Sequence, residues 1–359
     1  MEWQKVTKRW SLVLAGMLTL LQWAAAQDNT DLQNTARTFL RSGDYANAIL
    51  VLNQAIQTAP DDIELKRDLA FAYYLKGDIN RAYAVVSPLV DKKDADIHLY
   101  QIAGNIYQGK QDWKGAEKLY IRGLKRFPKS GELHNDYGDL LQNMKNFDGA
   151  LRQWVKGIEV DPNFPGNYYH AARSYLWTNE PIWAILYGET FINLESYTTR
   201  TAEVRSIVIE CYKKLFDDPA IFNSIPGEPS DKKGKKSSET GFMDAYKSIM
   251  AKQVSVIATG IEPESLIMLR TRFLLDWYNF YGMKYPYALF DFQRRLLKDG
   301  MFEAYNHWMF GPVANPAEYK AWTTLHKTNY DAFTAWQRNH PLKLRQDEFY
   351  NTGKLAVIK

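Results

Sequence analysis

The sequence predicts an all-α protein in which helical hairpins stack on one another, followed by a second helical region. Two observations carry this prediction. Small residues recur every 34 positions in the first half of the chain, and each interval holds turn-forming residues between two stretches with helical apolar spacing. After a break rich in proline and lysine, apolar residues return with helical spacing.

Two series of small residues define the repeat, and neither slips over five units. The first series is Ala36, Ala70, Gly104, Gly138 and Ala172, and the second is Ala48, Ala82, Ala116, Ala150 and Ala184. A small residue on each of two helices lets the helices approach closely. Each unit is therefore predicted to be a helical hairpin. One hairpin cannot bury its apolar face alone, so the units must stack.

Turn residues mark where each hairpin reverses and where each unit ends. The internal turns are expected at residues 42–44, 76–78, 109–112 and 145–146. Pro60, Pro128 and Pro162 close the first, third and fourth units. Residues 199–216 continue the pattern as one helix in the register of a sixth unit, which predicts a cap on the stack.

With Phe39, Tyr73, Tyr107 and Tyr175 three positions after the first small residue, the pattern resembles the tetratricopeptide-repeat (TPR) family over residues 29–216. The resemblance implies five units plus a capping helix in a right-handed superhelical solenoid, with a concave groove lined by the first helix of each unit. The sequence departs from the family pattern in two ways. The positions where a third small residue often sits hold Leu89, Gly123, Gly157 and Phe191, and Pro181 begins a second helix.

The family register also implies which residues face the groove, with the first small residue counted as position eight. The resulting partner-binding candidates are Arg37, Arg67, Phe71, Tyr74, Gln101, Asn105, Asn135, Asp139, Asn143, Tyr169, Arg173 and Trp177. Amides can bond an extended backbone, arginines can pair with carboxylates, and the aromatic rings can anchor side chains. Two alternatives stay open: the lining is polar only because it is solvated, or the C-terminal region fills the groove. The Lys and Asn clamp that chaperone-tail binders use is absent.

Residues 1–26 read as a secretory signal peptide. Basic residues precede an apolar run over 10–21, and Ala24, Ala25 and Ala26 predict cleavage after Ala26. The run is shorter than the roughly 20 residues that span a bilayer, so an uncleaved anchor is the less favoured reading. The net charge of +4 gives no reason to expect a nucleic-acid partner. The leader predicts export, and the single cysteine, Cys211, rules out a disulfide framework. We therefore expect a periplasmic or secreted protein of a bacterial envelope rather than a protein of a eukaryotic secretory route.

Residues 217–241 are predicted to be a linker, because prolines and a lysine run interrupt the helical pattern. The lysines fit a solvated tether better than an anionic-ligand patch. Residues 242–359 form an aromatic-rich module with predicted helices over 242–258, 263–281, 287–298, 302–310 and 316–339. Its rings either form a core or supply a partner or glycan platform.

No sequence motif predicts catalysis, a cofactor or a metal site. Zinc-protease, phosphate-loop and nucleophile-elbow motifs are absent, and His98, His134 and His170 recur every 36 residues, out of register with the repeat. We therefore expect a non-catalytic scaffold without a cofactor, which binds a protein or peptide in the TPR groove. The alternative is a carbohydrate-handling or hydrolytic role in the aromatic module, whose candidate carboxylates are Asp276, Asp291, Glu303 and Glu318.

Overall fold

The computed structural model describes residues 30–218, 220–223, 241–258 and 260–350. Within these ranges the chain forms helices and no strands, which confirms the predicted all-α class. The predicted leader and residues 224–240 of the predicted linker lie outside the described residues. The chain divides into two compact units after Pro128.

Unit 1 consists of three helical hairpins. Its helices are α1 (30–42), α2 (Tyr45–Thr58), α3 (Ile63–Leu75), α4 (Ile79–Val86), α5 (Ile97–Gly109) and α6 (Trp113–Arg126). Helix α4 has 8 residues, whereas α2 and α6 each have 14. It ends before Pro88, which lacks an N–H and disfavours helical geometry in the residue before it. Leu89 therefore lies in a turn, where it is buried.

Unit 2 contains two further hairpins, the capping helix and the C-terminal helices. The repeat helices are α7 (Gly131–Asn143), α8 (Phe147–Val160), α9 (Pro165–Leu176), α10 (Pro181–Leu194) and α11 (Thr199–Asp217). After the short α12 (Ala220–Asn223) come α13 (Phe242–Ala251), a 3₁₀ turn (Val254–Ile257), α14 (Pro263–Phe280), α15 (Ala288–Lys298), α16 (Phe302–Ala314), α17 (Pro316–Leu325) and α18 (Lys327–Asn339).

The first four hairpins share one turn geometry. A residue with positive φ recurs every 34 positions, at Gly43 (80°), Gly77 (84°), Gln111 (63°) and Lys145 (64°). The residue that follows it caps the second helix, since its side chain accepts a hydrogen bond from the backbone N–H three positions on; these caps are Asp44, Asp78, Asp112 and Asn146. The left-handed conformation favours glycine, so the two non-glycine turns are conformationally strained.

Within a hairpin, the small residue of the first helix is matched in size to a residue of the second. A Cβ on Gly104 would stand 2.0 Å from the Tyr120 hydroxyl, and a Cβ on Gly138 would stand 2.2 Å from Trp154 Nε1. In the first two hairpins the corresponding second-helix residues are the smaller Leu52 and Val86, and the first helix carries alanine instead of glycine. The glycines therefore provide the space that the two large rings fill.

The C-terminal helices differ from the predicted ones at two places. The single helix predicted over 316–339 is wrong, because His326 has a ψ of 31°, outside the helical range, and the chain breaks there into α17 and α18. The helix predicted over 242–258 is also wrong. It stops at Ala251, and a 3₁₀ turn follows. Helix α16, in contrast, continues through Pro312 to Ala314.

Helix α10 lies at the centre of unit 2 and is buried on all sides from Pro181 to Ile192. It packs against α9 and α11, and its Trp183 ring stacks on Phe242 of α13. Phe242 is completely buried among Trp277, Tyr285, Tyr287, Phe290 and Tyr350. Most of the aromatic residues of the C-terminal helices therefore form a core that includes the last repeat.

Residues 341–350 follow α18 without regular secondary structure and pack against the repeats of unit 2. The Asn163 side chain, in the turn between α8 and α9, donates to the Leu344 carbonyl (2.7 Å) and accepts from the Leu344 N–H (2.9 Å). Leu344 and Phe349 are buried, and the Tyr350 ring stacks on Phe242 at 4.1 Å. This segment ties the turn between α8 and α9 to the C-terminal helices.

Candidate functional site

The first helix of each hairpin carries the predicted partner-binding residues, and we call the surface that they form the first-helix face of each unit. In unit 1 its two arginines belong to a chain of ion pairs that joins α1 to the start of α5. Arg37 Nε donates to Asp68 Oδ2 (2.9 Å), and Arg67 Nη1 donates to Asp96 Oδ2 (2.9 Å). Arg67 Nη2 also lies 3.4 Å from Asp68 Oδ1.

This chain of ion pairs fixes the arginines within the unit. Arg67 and Asp68 are largely buried, and Asp96 is the N-cap residue of α5. Charge-assisted pairs between largely buried groups are screened less than surface pairs. Arg37 and Arg67 therefore hold neighbouring first helices together, and a carboxylate of a partner would compete with Asp68 and Asp96 for them.

The remaining candidates of unit 1 present rings and amides on the same helices. Phe71 and Tyr74 stack on α3, with ring centroids 6.5 Å apart and planes 16° apart, and both are half-buried. On α5, Gln101 is half-buried and Asn105, one turn further on, is exposed.

In unit 2, Tyr169 and Arg173 of α9 share one carboxylate on the capping helix α11. The Tyr169 hydroxyl donates to Glu203 Oε2 (2.7 Å), and Arg173 Nε donates to Glu203 Oε1 (2.9 Å). The guanidiniums of Arg173 and Arg200 lie 5.1 and 4.9 Å from the centroid of the Tyr169 ring. Burial, and then the hydrogen bond to Glu203, raise the pKa of Tyr169.

Asp139 of α7 lies against His170 of α9, with 3.3 Å between Asp139 Oδ1 and His170 Nε2. The His170 ring stacks on Trp154 at 4.8 Å, and Trp154 Nε1 donates to the Asn135 carbonyl oxygen (3.2 Å). Burial, and then the charge of Asp136, raise the pKa of Asp139 to about 7. Burial, followed by Arg173 and Arg200, lowers the pKa of His170 to about 3, so its imidazole is neutral at pH 7.

Asn143 and Trp177 are the exposed candidates of unit 2. Trp177 follows α9 and is 83% exposed, the highest exposure of any large aromatic side chain in the described residues. It lies two helical turns after Tyr169 and one after Arg173, on the same side of α9. On α7, Asn143 likewise lies two helical turns after Asn135 and one turn after Asp139. The structure thus brings Asp139, Tyr169 and Arg173 into one polar cluster, with Asn143 and Trp177 at the ends of their helices.

The sequence reasoning missed the contribution of α11 to this face. Glu203 lies 34 residues after Tyr169, so the same register extended by one unit would have identified it. The capping helix therefore supplies a side chain that bonds the first-helix residues of α9 as well as closing the stack. Arg200 lies 34 residues after Gly166, at position two of the same register, so the extension by one repeat would have identified it as well; it pairs with Glu195 and lies over the rings of Tyr169 and Phe191.

A buried cluster around Glu189 was also missed. Glu189 on α10 accepts hydrogen bonds at Oε1 from Gln293 (2.6 Å), from the Tyr305 hydroxyl (2.7 Å) and from Arg270. Glu189 and Arg270 are both almost completely buried. Burial alone would lower the pKa of Arg270, but the Glu189 carboxylate more than offsets this, and the pKa is raised. The adjoining cavity of about 10 Å³ has room for no more than one water, so the cluster is packed structure.

The four carboxylates of the alternative hydrolytic reading do not share one place, because Glu303 and Glu318 both act on the charge of His307, whereas Asp276 and Asp291 have hydrogen-bond partners of their own. Asp276 accepts a hydrogen bond from Gln253 (3.2 Å), and Asp291 accepts one from the Tyr278 hydroxyl (2.5 Å). Glu303 and Glu318 are exposed, and Glu318 bonds to the Asn315 side chain (3.0 Å). Cys211 is buried, and burial raises the pKa of its thiol to about 12, far above the range of a reactive thiolate.

The described part of the chain offers neither a metal site nor a membrane-spanning helix. It holds no group of three or more His, Cys, Asp or Glu side chains placed to bind a metal ion. Nor does it contain a helix that combines the length and apolar character needed to cross a membrane.

Comparison with known proteins identifies the repeats. Two tetratricopeptide-repeat family models match residues 39–106 and 103–168. Protein O-mannosyl-transferase TMTC3 from Homo sapiens is 31% identical over 64 residues, which are 18% of this chain and 7% of that protein. The chain thus matches only a small part of this relative.

Several solved structures match about half of the chain. A structure of Pseudomonas aeruginosa PilF is 14% identical, covers 55% of this chain and 88% of its own, and has a TM-score of 0.46. A thermophilic TPR protein from Thermus thermophilus is 16% identical, covers 52% and 98%, and has a TM-score of 0.40. MamA is 19% identical, covers 45% and 94%, and has a TM-score of 0.38.

Proposed function

Because residues 39–168 are tetratricopeptide repeats, we propose that this chain is a non-catalytic adaptor that binds a protein or peptide through its first-helix face. The observation that carries the proposal is Trp177. A large, rigid, amphipathic ring exposed beside charged and amide side chains is typical of an interface anchor, because tryptophan and arginine dominate binding energy where water is excluded. Its cost of immobilisation is low, since the indole has only two side-chain torsions.

The cluster beside Trp177 supports recognition of polar as well as apolar groups. Arg173 is half-exposed while it bonds Glu203, and it lies one helical turn before Trp177. Asn143 offers an exposed amide that can bond a peptide backbone. We propose that a partner places an apolar side chain against Trp177 and backbone groups against these polar side chains.

The fixed ion pairs of unit 1 favour a different role for its arginines. Arg37 and Arg67 keep α1, α3 and α5 in register, so that Asn105, Phe71 and Tyr74 are presented from a rigid surface. A preorganised surface loses less conformational entropy on binding. We therefore expect replacement of Arg67 to weaken binding by loosening the unit, and replacement of Asn105 to weaken it by removing a contact.

The site assignment is tested by comparing two exposed apolar residues of unit 2. Trp177→Ala removes the proposed anchor, whereas Leu325→Ala alters an 81% exposed side chain on α17, which is not a first helix. Affinity capture from the native envelope fraction should lose its principal partner with Trp177→Ala and retain it with Leu325→Ala. If both variants retain that partner as wild type does, the proposed site is wrong.

We also propose that the chain acts in a bacterial envelope, after export and removal of its leader. The support is the leader pattern at residues 1–26. Mass spectrometry of the mature N-terminus should find Gln27 as the first residue of protein from the envelope fraction. Protein that keeps residues 1–26, or that fractionates with the cytosol, would contradict this assignment.

A further inference from the structure

The guanidinium of Arg205, on the capping helix α11, has no counter-ion within the described residues. The side chain is half-buried, it forms no ion pair in this part of the chain, and its buried Nε has no hydrogen-bond partner there. Buried polar groups nearly always have such partners. Arg205 follows Glu203 by two residues, which places the two side chains on opposite sides of α11. Arg205 therefore belongs to a different surface from the first-helix face.

Aromatic side chains from several elements of unit 2 meet at Arg205. Its guanidinium lies 4.8 Å from the centroid of the Trp308 ring on α16, and the Tyr197 ring packs against the same indole at 6.3 Å. Tyr319 of α17 and Tyr330 of α18 join their hydroxyls at 2.5 Å, and both hydroxyls act on the charge of Arg205. The indole covers one face of the guanidinium but offers no acceptor to its N–H groups.

A second buried donor without an acceptor lies beside these rings. Gln337 of α18 accepts a hydrogen bond from the Tyr197 hydroxyl at Oε1 (3.0 Å), whereas its buried Nε2 has no partner among the described residues. The hydroxyl pair of Tyr319 and Tyr330 uses one of its two O–H protons, so the other can be donated. We call Arg205, Tyr197, Trp308, Tyr319, Tyr330 and Gln337 the Arg205 cluster. It holds more donors than acceptors.

The charges next to the Arg205 cluster are mainly positive. Burial raises the pKa of Tyr197, and the charges of Arg205 and Arg338 oppose this effect. Asp331 is a carboxylate that acts on Tyr330, and it is already paired with Lys327. The surroundings therefore favour an anion.

The surplus of donors around one cation matches an ionised carboxylate. A carboxylate carries one negative charge and only accepts hydrogen bonds, and a guanidinium can donate to both of its oxygens. Because Nε is buried, a ligand would meet the two Nη groups of Arg205. A phosphate dianion calls for more than the single cation that the cluster contains.

We propose that the Arg205 cluster binds the carboxylate of a ligand, which accepts from the Arg205 Nη groups and a tyrosine hydroxyl. The ring of Tyr197, which is 71% exposed, lies at the edge of the cluster and supports the body of the ligand. None of these residues belongs to the proposed partner-binding set, so this is a second binding site with its own specificity.

Fluorine NMR titration tests the proposal on the full chain. The probes are 4-fluorobenzoate, its neutral analogue 4-fluorobenzamide, and the dianion 4-fluorophenyl phosphate. Wild type should bind the benzoate about tenfold or more tightly than the benzamide, because only the benzoate forms charge-assisted bonds with Arg205. Arg205→Gln should weaken benzoate binding to the level of the benzamide.

The matched control is Arg152→Gln, which removes the same charge from an exposed arginine of α8 and should bind the benzoate as wild type does. Replacing Tyr319 and Tyr330 together with phenylalanine removes both hydroxyls without changing the charge. This variant should bind the benzoate about fivefold more weakly, and it tests the site even if Arg205→Gln fails to fold.

Equal binding of the benzoate and the benzamide by wild type overturns the proposal, as does unchanged benzoate binding in the folded variants of the cluster. Tighter binding of the phenyl phosphate than of the benzoate overturns the carboxylate assignment. Competition then identifies the source of the carboxylate. Displacement of the benzoate by acetyl-trialanine supports a peptide C-terminus, displacement by an amidated tripeptide with a central glutamate supports a side chain, and displacement by neither supports a small-molecule carboxylate.

Discussion

Replacing Glu189 with glutamine would remove the negative charge from the centre of unit 2 while keeping nearly the same shape. Arg270 would remain buried without a counter-ion, and Gln293 and Tyr305 would donate to a neutral acceptor. Breaking a buried ion pair by removing one partner typically costs about 3–5 kcal/mol. Because glutamine keeps one acceptor oxygen, we expect Glu189→Gln to lower the free energy of unfolding by about 3 kcal/mol.

Urea denaturation followed by tryptophan fluorescence measures this loss. The signal reports mainly on unit 2, since most tryptophans outside residues 1–26 lie there. The transition midpoint should fall with little change in its urea dependence. Asp331→Asn is the control, because its pair with Lys327 is exposed at both ends and should contribute within about 0.5 kcal/mol.

The double replacement Glu189→Leu with Arg270→Met separates the contribution of the ion pair to stability from that of side-chain packing. Hydrophobic residues of similar volume remove both buried charges together, so the double variant should recover more than half of the loss. If Glu189→Gln unfolds within about 1 kcal/mol of wild type, Arg270 has found another counter-charge or water, and our account of the cluster is wrong.

Three further outcomes follow from the geometry. Lys145→Gly should raise the free energy of unfolding by about 0.5–1 kcal/mol in urea denaturation, because glycine adopts the positive φ without strain; a loss would contradict this. Gly104→Ala should cost about 1–3 kcal/mol through its clash with Tyr120, whereas Gly109→Ala on the same helix should be nearly neutral, and equal costs would refute the packing account. Since burial raises the pKa of Asp139 to about 7, the folded state retains a proton that the unfolded state releases, and the contribution of Asp139 to stability falls as pH rises from about 4 to 7. The melting temperature of Asp139→Asn should therefore rise relative to that of wild type as pH increases over this range. A difference between the two melting temperatures that stays constant with pH would contradict the assignment.

The repeats were predictable because the local sequence determines their geometry. Small residues at a fixed interval identify where two helices approach, and Gly43 and Gly77 mark turns that require a left-handed residue. Gln111 and Lys145 adopt the same conformation without being glycine, so only the register indicates it. For the same reason, extension of the register to Glu203 would have completed the cluster around Tyr169 and Arg173.

The packing of the C-terminal helices was harder to predict from the sequence, because long-range contacts determine it. Glu189 bonds Arg270, Gln293 and Tyr305, which follow it by 81, 104 and 116 positions. No local sequence pattern indicates such distant partners. The sequence offered one signal, a single carboxylate within the otherwise apolar α10, which must find donors when it is buried. The break at His326 is also set by tertiary contacts, since Trp322 stacks between His307 and His326.

The central claim, that the first-helix face binds a partner, is tested most directly by site-specific photocrosslinking in the native envelope. A photoreactive phenylalanine derivative is placed at position 143, 177 or, as the control, 325, and crosslinked products are identified by mass spectrometry. We predict that positions 143 and 177 crosslink to one recurring foreign protein and that position 325 does not. Crosslinks only within the chain, or the same products from all three positions, would contradict the claim.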